Sequence, residues 1–356
     1  MKHITTLLFF SILVHHFSFA QNKTQQLDSI IQSYHEKFPE VSMSVGFIQD
    51  DQEFYTAYGN LSKERTIKVN KNSVFEIASI TKIITSNLLA QAVIEGKLKL
   101  DDYIDAYLPK GYVLHKDIQQ KIKISDLAAH ISGLPDIDFK ELIEKNPQQP
   151  TSTVTLETLT TLVNTCTSLT DYGSYRYSNI GYILLGQILE TVYGKSYEEI
   201  LNEKITTPLQ LSNTLTTDFN VPHTTVGYNR KGGTQEFFTW NPAIGAAGLI
   251  KSNTSDMITY VKAVLQEETT IGKAALRTEQ LLHVEDGDGI GLGLVIVEDS
   301  GNTLYLKTGD TLGQASLLCY NRAKNWGIVI FLNQANSKLR QEMLNVMYDV
   351  VLKWFF

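Results

Sequence analysis

A chain of 356 residues, 43% hydrophobic, is long enough to bury a full core as one large domain or two intertwined ones. Its 31 Lys and Arg against 38 Asp and Glu give a formal charge of −7 with no basic cluster, which argues against nucleic acid as a partner. The eight histidines show no HExxH or similar spacing, so no metal centre is expected, and there is no GxSxG elbow.

Residues 1–20 read as a secretion signal. Lys2 is the basic start, Ile4 to Val14 is apolar but too short to span a bilayer, and Ser18-Phe-Ala20 offers small residues at a cleavage site. A retained anchor is the alternative. Without a cysteine at the cleavage point no lipid anchor is indicated, and the mature chain is expected to be secreted or periplasmic with no stable membrane insertion. Cys166 and Cys319 are read as two separate buried thiols, although an oxidising compartment would permit a bridge.

Leu27, Ile30, Ile31, Tyr34 and Phe38 recur at helical spacing, and Pro39 ends that helix. Val41 to Gln49 and Glu53 to Tyr58 read as a hairpin. The next helix starts near Ser79 and stops at Gly96, with apolar residues nearly all round it, the mark of a buried helix. From Leu98 to Asn241, helical segments (Ile124 to Ala129, Thr155 to Val163, Ile180 to Tyr193) alternate with polar loops. After a helix over Ser255 to Leu265 come four strand-like runs: Ile290 to Glu298, Thr303 to Thr308, Ala315 to Tyr320 and Trp326 to Leu332. The alternating Gly287, Gly289, Gly291 and Gly293 suggest a strand with one close-packed face. A final helix carries Leu339, Met343, Val346, Met347, Val350, Val351 and Trp354 on one stripe. The expected fold is α/β (α+β): an antiparallel sheet built from both chain ends and flanked by helices, with an inserted helical lobe. The expected division is 1–20 signal, 21–97 with 242–356 as the α/β part, and 98–241 as the helical part.

Three short stretches carry chemistry: Ser79-Ile-Thr-Lys82, Tyr177-Ser-Asn179 and Lys307-Thr-Gly309. Ser79 opens a helix, where free N–H groups and the positive dipole end lie beside its hydroxyl. Lys82, three residues on, shares its face, and burial favours the neutral amine that can take the Ser79 proton. Alone, the pair also reads as a capping serine and a snorkelling lysine. Tyr177 stands at a helix entrance, where a phenolate stabilised by lysines can act as base and then as acid, and Asn179 offers donor and acceptor to an amide. Ser178 or Asn179 as a simple cap is the competing reading. Strand alternation puts Lys307 and Gly309 on one face and Thr308 on the other. Lys307 can hold an anionic group, Gly309 permits close approach, and the Asp310 N–H can join that of Ser79 around an oxyanion. An edge-strand lysine beside a bulge glycine is the bland alternative.

In order, these stretches resemble the serine β-lactamase and penicillin-binding-protein family, closest to its class C β-lactamase, D,D-carboxypeptidase and related esterase branch. Phe75-Glu-Ile-Ala-Ser79-Ile-Thr-Lys82 is similar to the nucleophile block, Leu127 to Pro135 to a structural turn, and Tyr177-Ser-Asn179 to the second motif. Gly245-Ala-Ala-Gly-Leu249, Gly291-Leu-Gly293 and Lys307-Thr-Gly309 complete the set. The resemblance implies a β-lactamase/transpeptidase-like fold and an acyl-enzyme on Ser79, with Lys82 and Tyr177 moving protons. Asn179, Lys307, Thr308, Gly309 and Asp310 would lie at the substrate, and no metal or organic cofactor would be needed. Two departures bear on substrate: Thr81 stands where class C enzymes typically carry a second serine, and Asp310 where a small residue is usual. The expected activity is that of an exported serine hydrolase on a β-lactam, D-amino-acid peptide or related amide, with a small-molecule or peptide substrate. An esterase and a non-catalytic penicillin-binding sensor are the alternatives.

Overall fold

The computed structural model describes residues 24–216 and 222–355, so the expected signal segment lies outside the described residues. Helix α1 (24–37) stops before Pro39, whose ring cannot continue it. Strands β1 (Met43–Gln49) and β2 (Gln52–Tyr58) form the expected hairpin. Strand β3 (Phe75–Glu76) leads through a 3₁₀ turn, Ala78–Ile80, into helix α2 (Thr81–Ile94). Helices α3 (Ile124–Ala128), α4 (Phe139–Lys145), α5 (Leu156–Asn164), α6 (Asn179–Tyr193) and α7 (Tyr197–Leu201) follow, then a small pair, β4 (Gly227–Tyr228) and β5 (Thr234–Gln235). Strand β6 (Lys251–Ser252) pairs back onto β3, and α8 (Thr254–Leu265) and α9 (Thr270–Thr278) return the chain to the main sheet.

That sheet adds β7 (His283–Glu285), β8 (Asp288–Ile290), β9 (Val295–Asp299), β10 (Asn302–Asp310), β11 (Ala315–Asn321) and β12 (Trp326–Leu332), and α10 (Ser337–Phe355) follows. The strand order is β2-β1-β12-β11-β10-β9-β8-β7, antiparallel throughout. The first strands therefore pair with the last, from Met43 opposite Leu332 to Gln49 opposite Trp326. The central strands read as unbroken apolar runs because both faces are covered. Val45, Leu317 and Ile330 pack with Leu27, Ile31 and Met343 on one side. Leu318, Val329 and Phe331 share the other cluster with residues of α2, α6, α8 and the inserted helices. Each such side chain contributes about 1.5–3 kcal/mol on burial.

One expected strand is two. Instead of a run from Ile290 to Glu298, β8 ends at Ile290 and β9 begins at Val295. The alternating glycines divide: Gly289 lies in β8, close-packed against Leu281 and Ile296 as expected, whereas Gly287 (φ +94) closes the β7–β8 hairpin and Gly293 (φ +76) lies in the link before β9. A Cβ at Gly293 would stand 2.6 Å from the Ser86 and Tyr182 hydroxyls, so the link presses against α2 where no side chain fits. Helix α9, capped by Thr269, is amphipathic but was not expected: it is short, and its buried face is made largely of small residues such as Gly272, Ala274 and Ala275. Both cysteines are free, but only Cys319 is buried as expected, in the sheet, whereas Cys166 is partly exposed.

Helix α6 touches the Gly245–Ala247 turn at Gly186, where an added Cβ would meet the Ala246 Cβ at 2.4 Å. Alanine is the better helix former by about 1 kcal/mol, but overpacking against a fixed turn costs about 1–3 kcal/mol. Gly186→Ala should therefore destabilise the protein, which urea unfolding would read as a lower midpoint with an unchanged slope; a raised midpoint would show that the turn yields.

Candidate active site

The stretch over residues 75–82 is held by side chains of the sheet's end. The Glu76 N–H donates to Gln314 Oε1 at 2.7 Å, and Ser316 Oγ donates to the Ile77 carbonyl at 2.8 Å. Ala78 then takes a left-handed conformation (φ +48), costly for a residue with a Cβ, and the chain reverses so that half-buried Ser79 stands at the entrance to α2.

Lys82 lies on the same side of the helix and is fully buried. Its Nζ donates to Asn179 Oδ1 at 2.9 Å and to the Ala247 carbonyl at 2.5 Å, and reaches Ser79 Oγ at 3.3 Å. Desolvation pushes its pKa down from 10.5 to about 7, while the negative charge of Asp136 opposes the fall. A neutral amine has two N–H groups and one lone pair. With the N–H groups on Asn179 and Ala247, the lone pair is left for the Ser79 hydroxyl.

Tyr177 is 43% exposed, and its OH lies 2.6 Å from Ser79 Oγ. The start of α6 fixes it: Ser178 caps the helix by accepting from the Gly181 N–H, and the Asp136 carboxylate accepts from the N–H groups of Asn179 and Ile180. The cap reading thus holds for Ser178, whereas the Asn179 side chain turns to Lys82. Behind the phenol lies the buried His130, its ring 4.6 Å from that of Tyr177 and its Nδ1 accepting from the Ser178 N–H. Burial, then the charges of Lys307 and Lys82, hold His130 well below the usual imidazole range. Lys82 and Lys307 stand 5.1 and 4.8 Å from the Tyr177 ring centre.

Strand parity in β10 separates the remaining residues. Lys307 and Gly309 are buried on the face toward the nucleophile, and Thr308 and Asp310 alternate with them. Lys307 is only 6% exposed, and desolvation pushes its pKa down to about 8, with Tyr177 opposing. It sits beside the phenol rather than out in the cleft. A Cβ at Gly309 would lie 2.8 Å from the Ser79 nitrogen, so the strand end approaches the nucleophile backbone closely. The Asp310 carboxylate forms an ion pair with Arg340 of α10, while burial raises its pKa.

Ser79, Tyr177, Asn179, Asp310 and Thr311 border a cleft of about 210 Å³, with Phe139, Ile183, Phe238 and Leu249 as apolar wall. Of the residues expected at the site, Lys82 and Tyr177 reach the Ser79 hydroxyl, Asn179 accepts from Lys82, Lys307 stands beside the Tyr177 ring, the Gly309 backbone approaches the Ser79 nitrogen and Asp310 borders the cleft, whereas Thr308 does not border it. Reading by motif missed Asp136 and the Ala247 carbonyl. The first follows Pro135 at the end of a quoted turn, and the second belongs to the quoted Gly245-Ala-Ala-Gly-Leu249; neither block advertises a role because one acts through charge and the other through its backbone.

A serine between a lysine depressed to near neutrality and a phenol, facing an apolar cleft, has the equipment of a serine hydrolase using an acyl-enzyme. A profile of the Beta-lactamase family matches residues 27–351, and the chain belongs to that family of serine hydrolases. Protein flp of Staphylococcus aureus (strain MW2) is 23% identical over 321 residues, 87% of this chain; the chain spans only 63% of that curated relative's length. A Beta-lactamase of Pseudomonas fluorescens is 25% identical over 87% of this chain and 93% of its own. Among solved structures, a class C beta-lactamase superposes with a TM-score of 0.81 at 21% identity, covering 93% of this chain and 96% of its own.

Lys82 must be neutral to accept a proton, so acylation should rise with pH through about 7. Because the Asp136 charge raises that pKa, Asp136→Asn should move the rising limb of kcat/KM to lower pH. Stopped-flow acylation across pH 5–9 decides; a limb that stays put or moves upward would remove Lys82 as the titrating group.

Proposed function

We propose that this chain is an exported serine hydrolase that cleaves a β-lactam, a D-amino-acid peptide or a related amide through an acyl-enzyme on Ser79. The observation that carries the reading is the Ser79 hydroxyl held at 2.6 Å from the Tyr177 OH and 3.3 Å from Lys82 Nζ. Ser79 Oγ attacks the carbonyl carbon as its proton passes to Lys82. The Ser79 and Asp310 N–H groups hold the oxyanion. As the carbon–nitrogen bond breaks, Tyr177 protonates the leaving nitrogen, and Lys82 with Lys307 steadies the phenolate until it regains a proton. Water then repeats the sequence on the acyl-serine. Asn179 orients Lys82 and offers its amide to the substrate. In the two-part division proposed above, Ser79 and Lys307 belong to 21–97 and 242–356 and Tyr177 and Asn179 to 98–241, which puts the cleft at the seam.

The matched Beta-lactamase of Pseudomonas fluorescens, covered over 93% of its length, supports this reading. Export rests on the basic, apolar and small-residue pattern of residues 1–20; no helix among the described residues is long and apolar enough to cross a membrane. A non-catalytic sensor is disfavoured, since a binder has no use for a lysine tuned beside a serine.

A neutral-ester substrate is the second reading, and one observation favours it. Lys307 is buried beside Tyr177 and Arg340 is occupied by Asp310, so neither cation is free to meet a substrate carboxylate.

Incubation with a fluorescent penicillin and, separately, with a short-chain nitrophenyl ester should leave an acyl adduct on Ser79 by peptide mapping. An adduct elsewhere, or none with either reagent, would end the hydrolase mechanism. Lys82→Ala and Tyr177→Phe should each lower acylation about 10²-fold or more, with much smaller shifts in melting temperature. To separate the substrates, Asp310→Asn keeps the backbone N–H and removes the charge. It should raise the ratio of kcat/KM for carboxylate-bearing over neutral substrates about tenfold. An unchanged ratio would mean that the carboxylate does not face the substrate.

A further inference from the structure

Glu76 and Lys251 are fully buried, lie opposite each other in the β3–β6 pair and take no part in the proton transfers described above. Two opposite charges out of water are expensive, and each is held by further bonds. Glu76 Oε1 accepts from the Phe238 N–H at 2.7 Å and Oε2 from the Thr311 hydroxyl at 2.7 Å. Lys251 Nζ donates to the carbonyls of Phe238 at 2.5 Å and Leu249 at 2.9 Å. The Thr311 hydroxyl oxygen in turn accepts from the Gly313 and Gln314 N–H groups, closing the turn after β10.

Glu76 is three residues before Ser79, and Thr311 is one residue after Asp310. One carboxylate therefore joins the two backbone segments whose N–H groups face the reacting carbonyl, and ties both to the Phe238 wall. We propose that Glu76 is a positioning residue: it sets the spacing of the Ser79 and Asp310 amides, with Lys251 as its counter-charge. This rests on the oxyanion arrangement proposed above. Glu76 touches no substrate; it acts by holding donors where charge develops, the geometry on which oxyanion stabilisation depends.

The test separates position from stability. Glu76→Leu alone leaves Lys251 buried without its counter-charge and should lower the melting temperature. Glu76→Leu/Lys251→Met replaces both charges by apolar groups, an exchange that is often neutral or stabilising, and should recover most of the melting temperature. Acylation by the nitrophenyl ester should nevertheless stay about 10- to 100-fold below wild type, in kcat rather than KM. Affinity for a phenylboronic acid, which forms a tetrahedral adduct on the serine, should fall by the same factor. Glu76→Gln keeps one acceptor oxygen, enough for either the Phe238 N–H or the Thr311 hydroxyl but not both, and should fall between wild type and Glu76→Leu; it also serves if the double variant does not fold. Activity that returns together with stability in the double variant, or Glu76→Gln as impaired as Glu76→Leu, would overturn the proposal. Wild-type protein acylated at Ser79 is the reference: its failure to react would sink the hydrolase mechanism, whereas a reacting wild type with an unimpaired double variant sinks only the role of Glu76.

Discussion

The site depends on burying the Lys82 amine with no carboxylate in contact. An ammonium without a counter-ion in low dielectric is strongly disfavoured, so the group is driven toward its neutral form, with its pKa lowered to about 7. Neutral acceptors receive its N–H groups, and they come from two places: Asn179 on α6 and the Ala247 carbonyl on the turn that α6 packs against. Among the described residues, the charge that opposes this shift is that of Asp136, which is engaged by the N–H groups at the start of α6. Its influence reaches Lys82 through space, strong enough to restrain the shift and too indirect to lock the proton in place. A carboxylate in direct contact would have kept the lysine charged and left Ser79 without a base.

Three buried lysines show how the surroundings divide one residue type into different functions. Lys82 has neutral acceptors and a hydroxyl partner. Lys307 faces a phenol and another lysine, so its charge is favoured by Tyr177 and opposed by Lys82. Lys251 faces Glu76 and two carbonyls, and its contacts are structural. All three are lowered chiefly by desolvation, and what they can do differs through the groups that receive their protons.

The sheet provides the fixed frame. β11 is buried between two hydrophobic clusters and pairs with the half-buried β10, so their register cannot slip without turning apolar side chains outward. That register places Gln314, Ser316 and Gly309 against residues 76–79, and a nucleophile stretch outside the main sheet takes its position from it.

Much of this was legible along the chain. The all-round apolar pattern of α2 demanded burial, and burial of that helix made Lys82 a candidate base before any contact was known. Period-two and helical spacing located most strands of the main sheet, though not β7, and most long helices, because they report which faces must leave water. Local chemistry was less informative where glycines were concerned: Gly287 and Gly293 looked like positions on a strand and serve turns, Gly287 in the β7–β8 hairpin and Gly293 where the link before β9 meets α2. The Asp310 side chain could be placed neither toward nor away from the substrate until α10 brought Arg340 to it. Asp136, the Ala247 carbonyl and the Glu76–Lys251 pair were hidden for the same reason. Periodicity encodes burial, a property each residue carries with it, whereas a pKa, an ion pair or an oxyanion hole depends on which distant segments meet, and that is settled only when the chain closes on itself.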